Sequence, residues 1–184
     1  MPARFATIGH SSRSPDEFLG MLRTAGVDLL VDVRAFPRSR ANPHFNIDRL
    51  PDALDRVGIG YRHCRALGGR RGPQAGVDPR TNALWRVASF HNYADYALGG
   101  EFAAALEALV RLGRDRRVAL MCSEALWWRC HRRIITDHLL LAGHEVDHLM
   151  APGQVEPARP TPGVRRTPEG LVIYPAVAAS GPSA

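Results

Sequence analysis

Apolar positions along the chain switch repeatedly between short continuous runs and stripes of helical spacing, which predicts alternating strands and helices. Residues 5–9 form a first apolar run, read as a strand. Ser14-Pro15-Asp16-Glu17 follows as a capping box with proline at the first helical position. Phe18, Leu19, Leu22 and Ala25 give the ensuing helix one apolar stripe, and Gly26 ends it. Residues 27–33 are nearly continuously apolar, as expected of a strand buried on both faces of a parallel sheet, and Asp32 interrupts the run near its end. A polar loop over 34–46, a helix over 47–57 stopped by Gly58, and a third strand over 59–63 come next. Residues 64–80 are rich in Gly, Pro and Arg and predict irregular structure. Helical spacing returns over 83–97 and 101–112. Residues 118–121 read as a fourth strand, 126–142 as a long helix ended by Gly143, and 145–149 as a last strand.

This alternation predicts a single α/β domain over 1–150, a mostly parallel sheet with helices on both faces. Residues 151–184 are proline-rich and read as a loosely packed C-terminal tail, with an added edge strand at 171–174. No internal repeat and no second domain is visible.

Composition narrows the class. The 184 residues are 45% hydrophobic and 23% charged, which is globular. No run approaches the roughly 20 apolar residues of a membrane-spanning helix, and the first residues are too mixed for a signal peptide. The expectation is a cytoplasmic protein with no membrane partner. The three cysteines, Cys64, Cys122 and Cys130, do not suggest a disulfide framework. All 24 basic residues are arginine, and the net charge is +6. Such a chain attracts anions, and arginine grips phosphate or carboxylate in two-pronged fashion.

Chemistry clusters after the strands. Ligands of open α/β sheets bind outside the carboxyl ends of the strands. His10, Ser11 and Arg13 follow the first predicted strand. Asp32 and Arg34 end the second, followed by Arg38, Ser39 and Arg40. His63, Arg65, Arg70 and Arg71 follow the third. Cys122, Ser123 and Glu124 end the fourth, with Trp128, Arg129, His131 and Arg132 beyond. Four strands thus deliver polar, ionisable residues to one end of the sheet.

The segments TIGHSSRS (7–14), LLVDVRAFPRSRANPHFN (29–46), LGGRRGP (67–73) and LMCSEALWWRCHRRIITDHL (120–139) resemble the bacterial family labelled domain of unknown function 488. The resemblance spans roughly residues 5 to 150. It implies an α/β domain and no established reaction. A cysteine between strand and helix, with arginine a few residues on, also resembles the second half of a rhodanese or a protein tyrosine phosphatase, and Val31-Asp32-Val33-Arg34 is rhodanese-like. The phosphatase pattern would place arginine at position 128, where this chain has Trp128, and residues 123–128 contain no glycine.

Candidate catalytic residues are Cys122, Glu124, His10 and Asp32. At a helix N-terminus Cys122 would be an activated thiol; otherwise it is a small residue closing a strand. Glu124 is either an acid–base group, paired with Asp32 in one crevice, or a first-turn residue behind a Ser123 N-cap. His10 is a proton shuttle or a loop hydrogen bonder. Cys130 reads as core, in a stripe with Ile134 and Leu141. Candidate ligand-binding residues are Ser11, Arg13, Arg34, Arg38, Ser39, Arg40, Arg70, Arg71, Trp128, Arg129, His131 and Arg132. One of the adjacent Trp127 and Trp128 is expected at the cleft or an interface. Cys122 and Cys130 match no standard zinc-finger spacing. A site made of His10, Cys122 and His131 is conceivable, but no metal or cofactor is expected.

Three functions remain open. One is an enzyme, hydrolase or transferase, on a phosphorylated or nucleotide-like anionic substrate. The second is a nucleic-acid-binding or nucleic-acid-processing protein, for example one cleaving glycosidic bonds. The third is a non-catalytic anion-binding module. The partner is accordingly an anionic small molecule or a nucleic acid. A nucleic-acid protein would place Arg62, Arg65, Arg80, Arg86 and the arginines of 111–117 on one continuous face.

Overall fold

In the computed structural model, which describes residues 1–177, the apolar runs become strands of a six-stranded sheet. The strands and helices are β1 (Arg4–Gly9), α1 (Pro15–Thr24), β2 (Leu29–Asp32), α2 (Leu50–Asp55), β3 (Gly60–His63), α3 (Ala88–Tyr96), α4 (Gly100–Asp115), β4 (Val118–Cys122), α5 (Arg132–Leu141), β5 (Glu145–Ala151), β6 (Gln154–Pro157), β7 (Arg165–Arg166) and β8 (Val172–Ile173). The sheet order is β3-β2-β4-β1-β5-β6. All neighbours are parallel except β5 and β6. This is a single α/β domain with a mostly parallel sheet.

Strand alternation divides the core in two. Phe5, Leu29, Val31, Val118, Leu120 and Cys122 face α3, α4 and α5, where they meet Tyr93, Phe102, Leu109, Ile134 and Leu139. The intervening Ala6, Ile8, Leu30, Ala119 and Met121 face α1 and α2, against Phe18, Leu22, Leu50 and Leu54. Successive side chains of a strand point to opposite faces, so a strand covered by helices on both sides must be apolar throughout. That accounts for the unbroken burial of β2 and β4. At α1 the Ser14 side chain accepts a hydrogen bond from the Glu17 amide at 3.1 Å, with Pro15 behind it; this is the Ser14 half of the expected capping box, while the Glu17 carboxylate pairs with Arg13 at 2.6 Å.

Three helices start later than their periodicity predicts. The second begins at Leu50 rather than 47 because Pro51, which lacks an N–H, is tolerated only in a first turn. The third begins at Ala88 rather than 83. Leu84 instead donates its amide to the Tyr174 carbonyl at 3.0 Å, and the Asn82 side chain bonds Asp95 at 2.7 Å. The last begins at Arg132 rather than 126. Trp127 stacks on His148 of β5 at 4.4 Å, and the Leu126 amide is held by the Glu124 carboxylate at 3.1 Å. This shift relocates a helix N-terminus, with consequences at the site.

The tail is better packed than its composition suggests. Tyr174 is fully buried, and Asp137 of α5 binds both the Tyr174 hydroxyl at 2.9 Å and the Thr161 amide at 2.8 Å. The strand expected at 171–174 forms as β8, paired with β7 in a separate two-stranded sheet. The edges of the main sheet are β3 and β6, and the sequence pattern does not predict β6. Residues 178–184 of the expected tail lie outside the described residues. Among the described residues, no helix is long and apolar enough to cross a membrane.

The core carries a pH dependence. Burial pulls His138 of α5 down from 6.5 to about 4, and its Nε2 has no hydrogen-bond partner among the described residues. Burial, reinforced by the Arg132 charge, does the same to His148, also to about 4. These rings are neutral in the fold but protonate near 6.5 in the unfolded chain. Unfolding therefore takes up protons, and stability, full above about 6.5, is lost as pH falls toward 4. The slope is at most about 1.4 kcal/mol per pH unit for each histidine. The urea midpoint is expected to drop between pH 7 and pH 5, and His138→Leu to flatten that drop. An unchanged midpoint in the parent protein contradicts this.

Candidate active site at the sheet switch point

Neighbouring strands β1 and β4 send their chains in opposite directions. From β1 the chain passes over one face to β2, beyond β4; from β4 it passes over the other to β5, beyond β1. Such a switch point opens a crevice at the carboxyl ends of the strands. The two chains stay paired just past their ends, where the His10 amide binds the Cys122 carbonyl and the Ser11 amide the Ser123 carbonyl, both at 2.9 Å. Gly9 lets them pass: a β-carbon there would lie 2.0 Å from the Glu124 carbonyl oxygen.

Beside this point lies a cavity of about 370 Å³. Cys122, Cys130 and His131 line it together, with their sulfur and ring-nitrogen atoms all within 4.8 Å of one another. The His131 Nε2 lies 2.9 Å from the Val33 carbonyl, which can only accept. Nε2–H therefore donates there, and the ring turns Nδ1 to the thiols, 3.6 Å from the Cys130 sulfur. Gly69 keeps that nitrogen clear, since a β-carbon there would sit 2.9 Å from it.

The helix shift changes which cysteine is activated. Cys122 was expected before a helix, but α5 starts at Arg132, so the helix N-terminus faces Cys130. The Cys130 sulfur accepts from the Arg132 amide at 3.5 Å and from Arg132 Nε at 3.3 Å. Burial alone would raise the Cys130 pKa. A hydrogen bond with Cys122 and the Arg132 charge and amide outweigh it and hold the thiol below its usual range. Cys122 moves the other way, pushed up by its hydrogen bond to Cys130 and by burial. Cys130, expected in the core, is both buried and part of the cavity wall. In the sequence, Cys130-His131 directly precedes the stripe Ile134, Ile135 and Leu139, a signal that a single helix over 126–142 hides.

Arg34, Arg38, Arg70 and Arg129 reach the cavity from three loops. Arg38 shares an exposed ion pair with Asp48 at 3.1 Å, a contact of little energy. Arg70 and Arg129 make no ion pair among the described residues and are exposed. Arg70 holds a left-handed backbone, φ 61°, with its guanidinium 5.5 Å from the centre of the Phe36 ring. Glu124 lies on the wall, its carboxylate fixed by the Leu126 amide. It stands in a non-helical loop, so Ser123 caps no helix there. Phe36, an aromatic among the loop arginines, also lines the cavity, as do Ser89, Phe90 and Tyr93, which the sequence does not single out.

Other nominated residues serve the frame. Asp32 faces the α1–α2 side, opposite to Cys122. It is fully buried, taking Arg34 in a two-pronged pair at 2.6 and 2.9 Å and the Tyr61 hydroxyl at 2.7 Å. His10 lies on the same side, stacked on Phe45 at 4.5 Å. Its Nδ1 binds the Ser11 carbonyl at 2.9 Å and its Nε2 meets the Arg34 guanidinium at 3.2 Å. Burial lowers its pKa to about 4, and the charge of Arg34 acts in the same direction. Arg13 clamps the Gly9 and Met150 carbonyls. Arg71 lies 3.8 Å from the Tyr96 ring centre and bonds the Gly68 carbonyl. Ser39 receives the Asn42 amide in its own loop. Arg132 is 1% exposed and donates to the Glu124 carbonyl, tying α5 to the Glu124 loop. Ser11, Arg40 and the 42% exposed Trp128 lie outside the cavity lining, while Trp127 is the partner that packs inward.

Residues 14–139, more than half of the chain, match the family described as Domain of unknown function DUF488. No curated protein and no solved structure matches the chain.

Proposed function

Because the chain belongs to the DUF488 family, whose description carries no reaction, we propose from the site itself that the protein is an enzyme acting on a phosphorylated or nucleotide-like anion. The observation carrying this reading is that exposed Arg70 and Arg129 open onto the same cavity as Glu124 and the Cys122–Cys130–His131 cluster. Unpaired arginines at a concave, partly apolar site suit an anionic head group. The aromatic wall of Phe36, Phe90 and Tyr93 suits a flat ring attached to it. The left-handed backbone at Arg70 is a conformation that non-glycine residues keep where the surroundings enforce it, often at ligand sites.

In this reading Arg38, Arg70 and Arg129 hold the anion over the cluster. Glu124 takes the proton from the attacking group, water in hydrolysis or an acceptor hydroxyl in transfer, and returns a proton to the leaving atom. A small ligand is favoured over a broad nucleic-acid face because the arginines of 111–117 precede β4 and lie at the opposite, amino end of the sheet. Arg111 and Arg117 are moreover paired with Glu107 and Asp147.

The test is turnover of a panel of nucleoside phosphates and phosphomonoesters, followed by phosphorus NMR. Glu124→Gln is expected to lower kcat by about 10²–10⁴ with KM little changed. The Arg70→Ala, Arg129→Ala pair is expected to raise KM tenfold or more, since charge-assisted hydrogen bonds are worth roughly 1.5–3 kcal/mol each. No turnover by the parent protein, or a Glu124→Gln variant as active as the parent, overturns the reading.

A further inference from the structure

The reading above places the anion over the two thiols and His131 but gives these three side chains no step of their own. They come from separate parts of the chain, the end of β4 and the turn before α5, yet their donor atoms converge within 4.8 Å. The His131 ring turns Nδ1 toward the Cys130 sulfur, 3.6 Å away. The Val33 carbonyl holds that orientation by accepting the Nε2–H hydrogen bond, the outer-shell device that orients a metal-binding histidine.

We propose that Cys122, Cys130 and His131 Nδ1 bind one thiophilic divalent cation, zinc, with its fourth coordination position open to the cavity. Spacing supports this. Zinc lies about 2.3 Å from thiolate sulfur and about 2.0–2.1 Å from imidazole nitrogen in tetrahedral sites. A tetrahedral angle between such bonds separates sulfur and nitrogen by about 3.6 Å, and the Cys130 sulfur stands 3.6 Å from His131 Nδ1. A soft donor set of two sulfurs and one nitrogen selects zinc over magnesium or calcium. The missing side chain at Gly69 leaves the nitrogen accessible. The Arg132 amide and Nε on the Cys130 sulfur are the outer-shell hydrogen bonds that thiolate ligands accept. Binding releases the thiol protons to solvent, so two thiolates and a neutral imidazole balance the ion's charge.

An open position facing Glu124, Arg70 and Arg129 fits three protein ligands plus substrate, the pattern of catalytic rather than structural zinc. Metal binding stands on its own geometry; a part for the ion in turnover rests on the reading above.

The test is cobalt(II) titration of the reduced full chain without substrate, followed by zinc competition. Expected are one equivalent bound, a thiolate-to-cobalt charge-transfer band, visible bands of tetrahedral strength, and displacement of cobalt by zinc. Cys122→Ser and Cys130→Ser are each expected to weaken binding at least 100-fold and remove the charge-transfer band. Cys64→Ser, outside the cluster, is expected to leave both intact. Absence of the band in the parent chain, or its persistence in both cluster variants, overturns the proposal. So does a stable Cys122–Cys130 disulfide that resists reductant in the folded protein. If cobalt binds as expected while no phosphorylated compound binds or turns over, the metal site stands and the anion reading falls. The reverse result overturns the metal site alone.

Discussion

Asp32→Asn is expected to cost about 3–5 kcal/mol of folding stability, the usual consequence of removing one partner from a buried ion pair. Asp32 is fully buried and Arg34 is 5% exposed. The carboxylate accepts the Arg34 Nε, NH2 and backbone amide as well as the Tyr61 hydroxyl. Asparagine keeps the shape but leaves the Arg34 guanidinium as a buried cation without a counter-charge. It also puts an amide N–H₂ against donors. Because Arg34 contributes to the cavity wall and touches His10, the site should loosen together with the fold. Urea unfolding measures the loss. A variant as stable as the parent but catalytically dead would instead make Asp32 a reacting carboxylate, contrary to its position on the α1–α2 side.

Gly9→Ala carries the second large effect. The added β-carbon would fall 2.0 Å from the Glu124 carbonyl oxygen, 2.6 Å from its carbonyl carbon and 2.7 Å from the Ala125 α-carbon. All three are backbone atoms, so no side chain can swing away. The 123–126 loop must move, and Arg132 then loses its hold on the Glu124 carbonyl. Overpacking costs typically about 1–3 kcal/mol and more where backbone must shift, so about 3 kcal/mol is expected, read by chemical denaturation. The same variant should reduce turnover well beyond what the unfolded fraction accounts for, because Glu124 moves with its loop. Alanine tolerated at position 9 with unchanged stability would mean that the close passage of β1 and the Glu124 loop is not required.

Strand periodicity carried most of the architecture. Residues 5–9, 27–33 and 118–121 became β1, β2 and β4 because double-sided burial leaves an unmistakable apolar run; 59–63 and 145–149 also became strands, although β3 and β5 are only partly buried. The β6 edge was harder to read: the strand is exposed along most of its length, so burial imposed no pattern on its residues. Helix starts were also misplaced where a local competitor took the first turn, as Pro51 and Trp127 did.

The site was legible as a set of loops but not as a set of side chains. That Cys122, Glu124, Arg38, Arg70, Arg129 and His131 follow strand ends or lie in connecting loops is visible in order along the chain. Which of them share a cavity depends on register. Asp32 pairs in register with Met121, not with Cys122, and one residue of offset sends its side chain to the opposite face. No periodicity in a single chain reveals that offset. His10 followed Asp32 to that face, and Cys130 took the helix N-terminus expected for Cys122.

The most direct test of the anion site is amide NMR mapping of a nucleoside monophosphate titrated into the 20.2 kDa protein. Saturable shifts are expected for residues around Arg34–Arg38, Gly69–Arg70, Ser89–Tyr93 and Cys122–His131, the segments that line the cavity, and should disappear in the Arg70→Ala, Arg129→Ala variant. Shifts confined to another surface, or none at saturating ligand, would contradict the assignment of this cavity as the site of anion recognition.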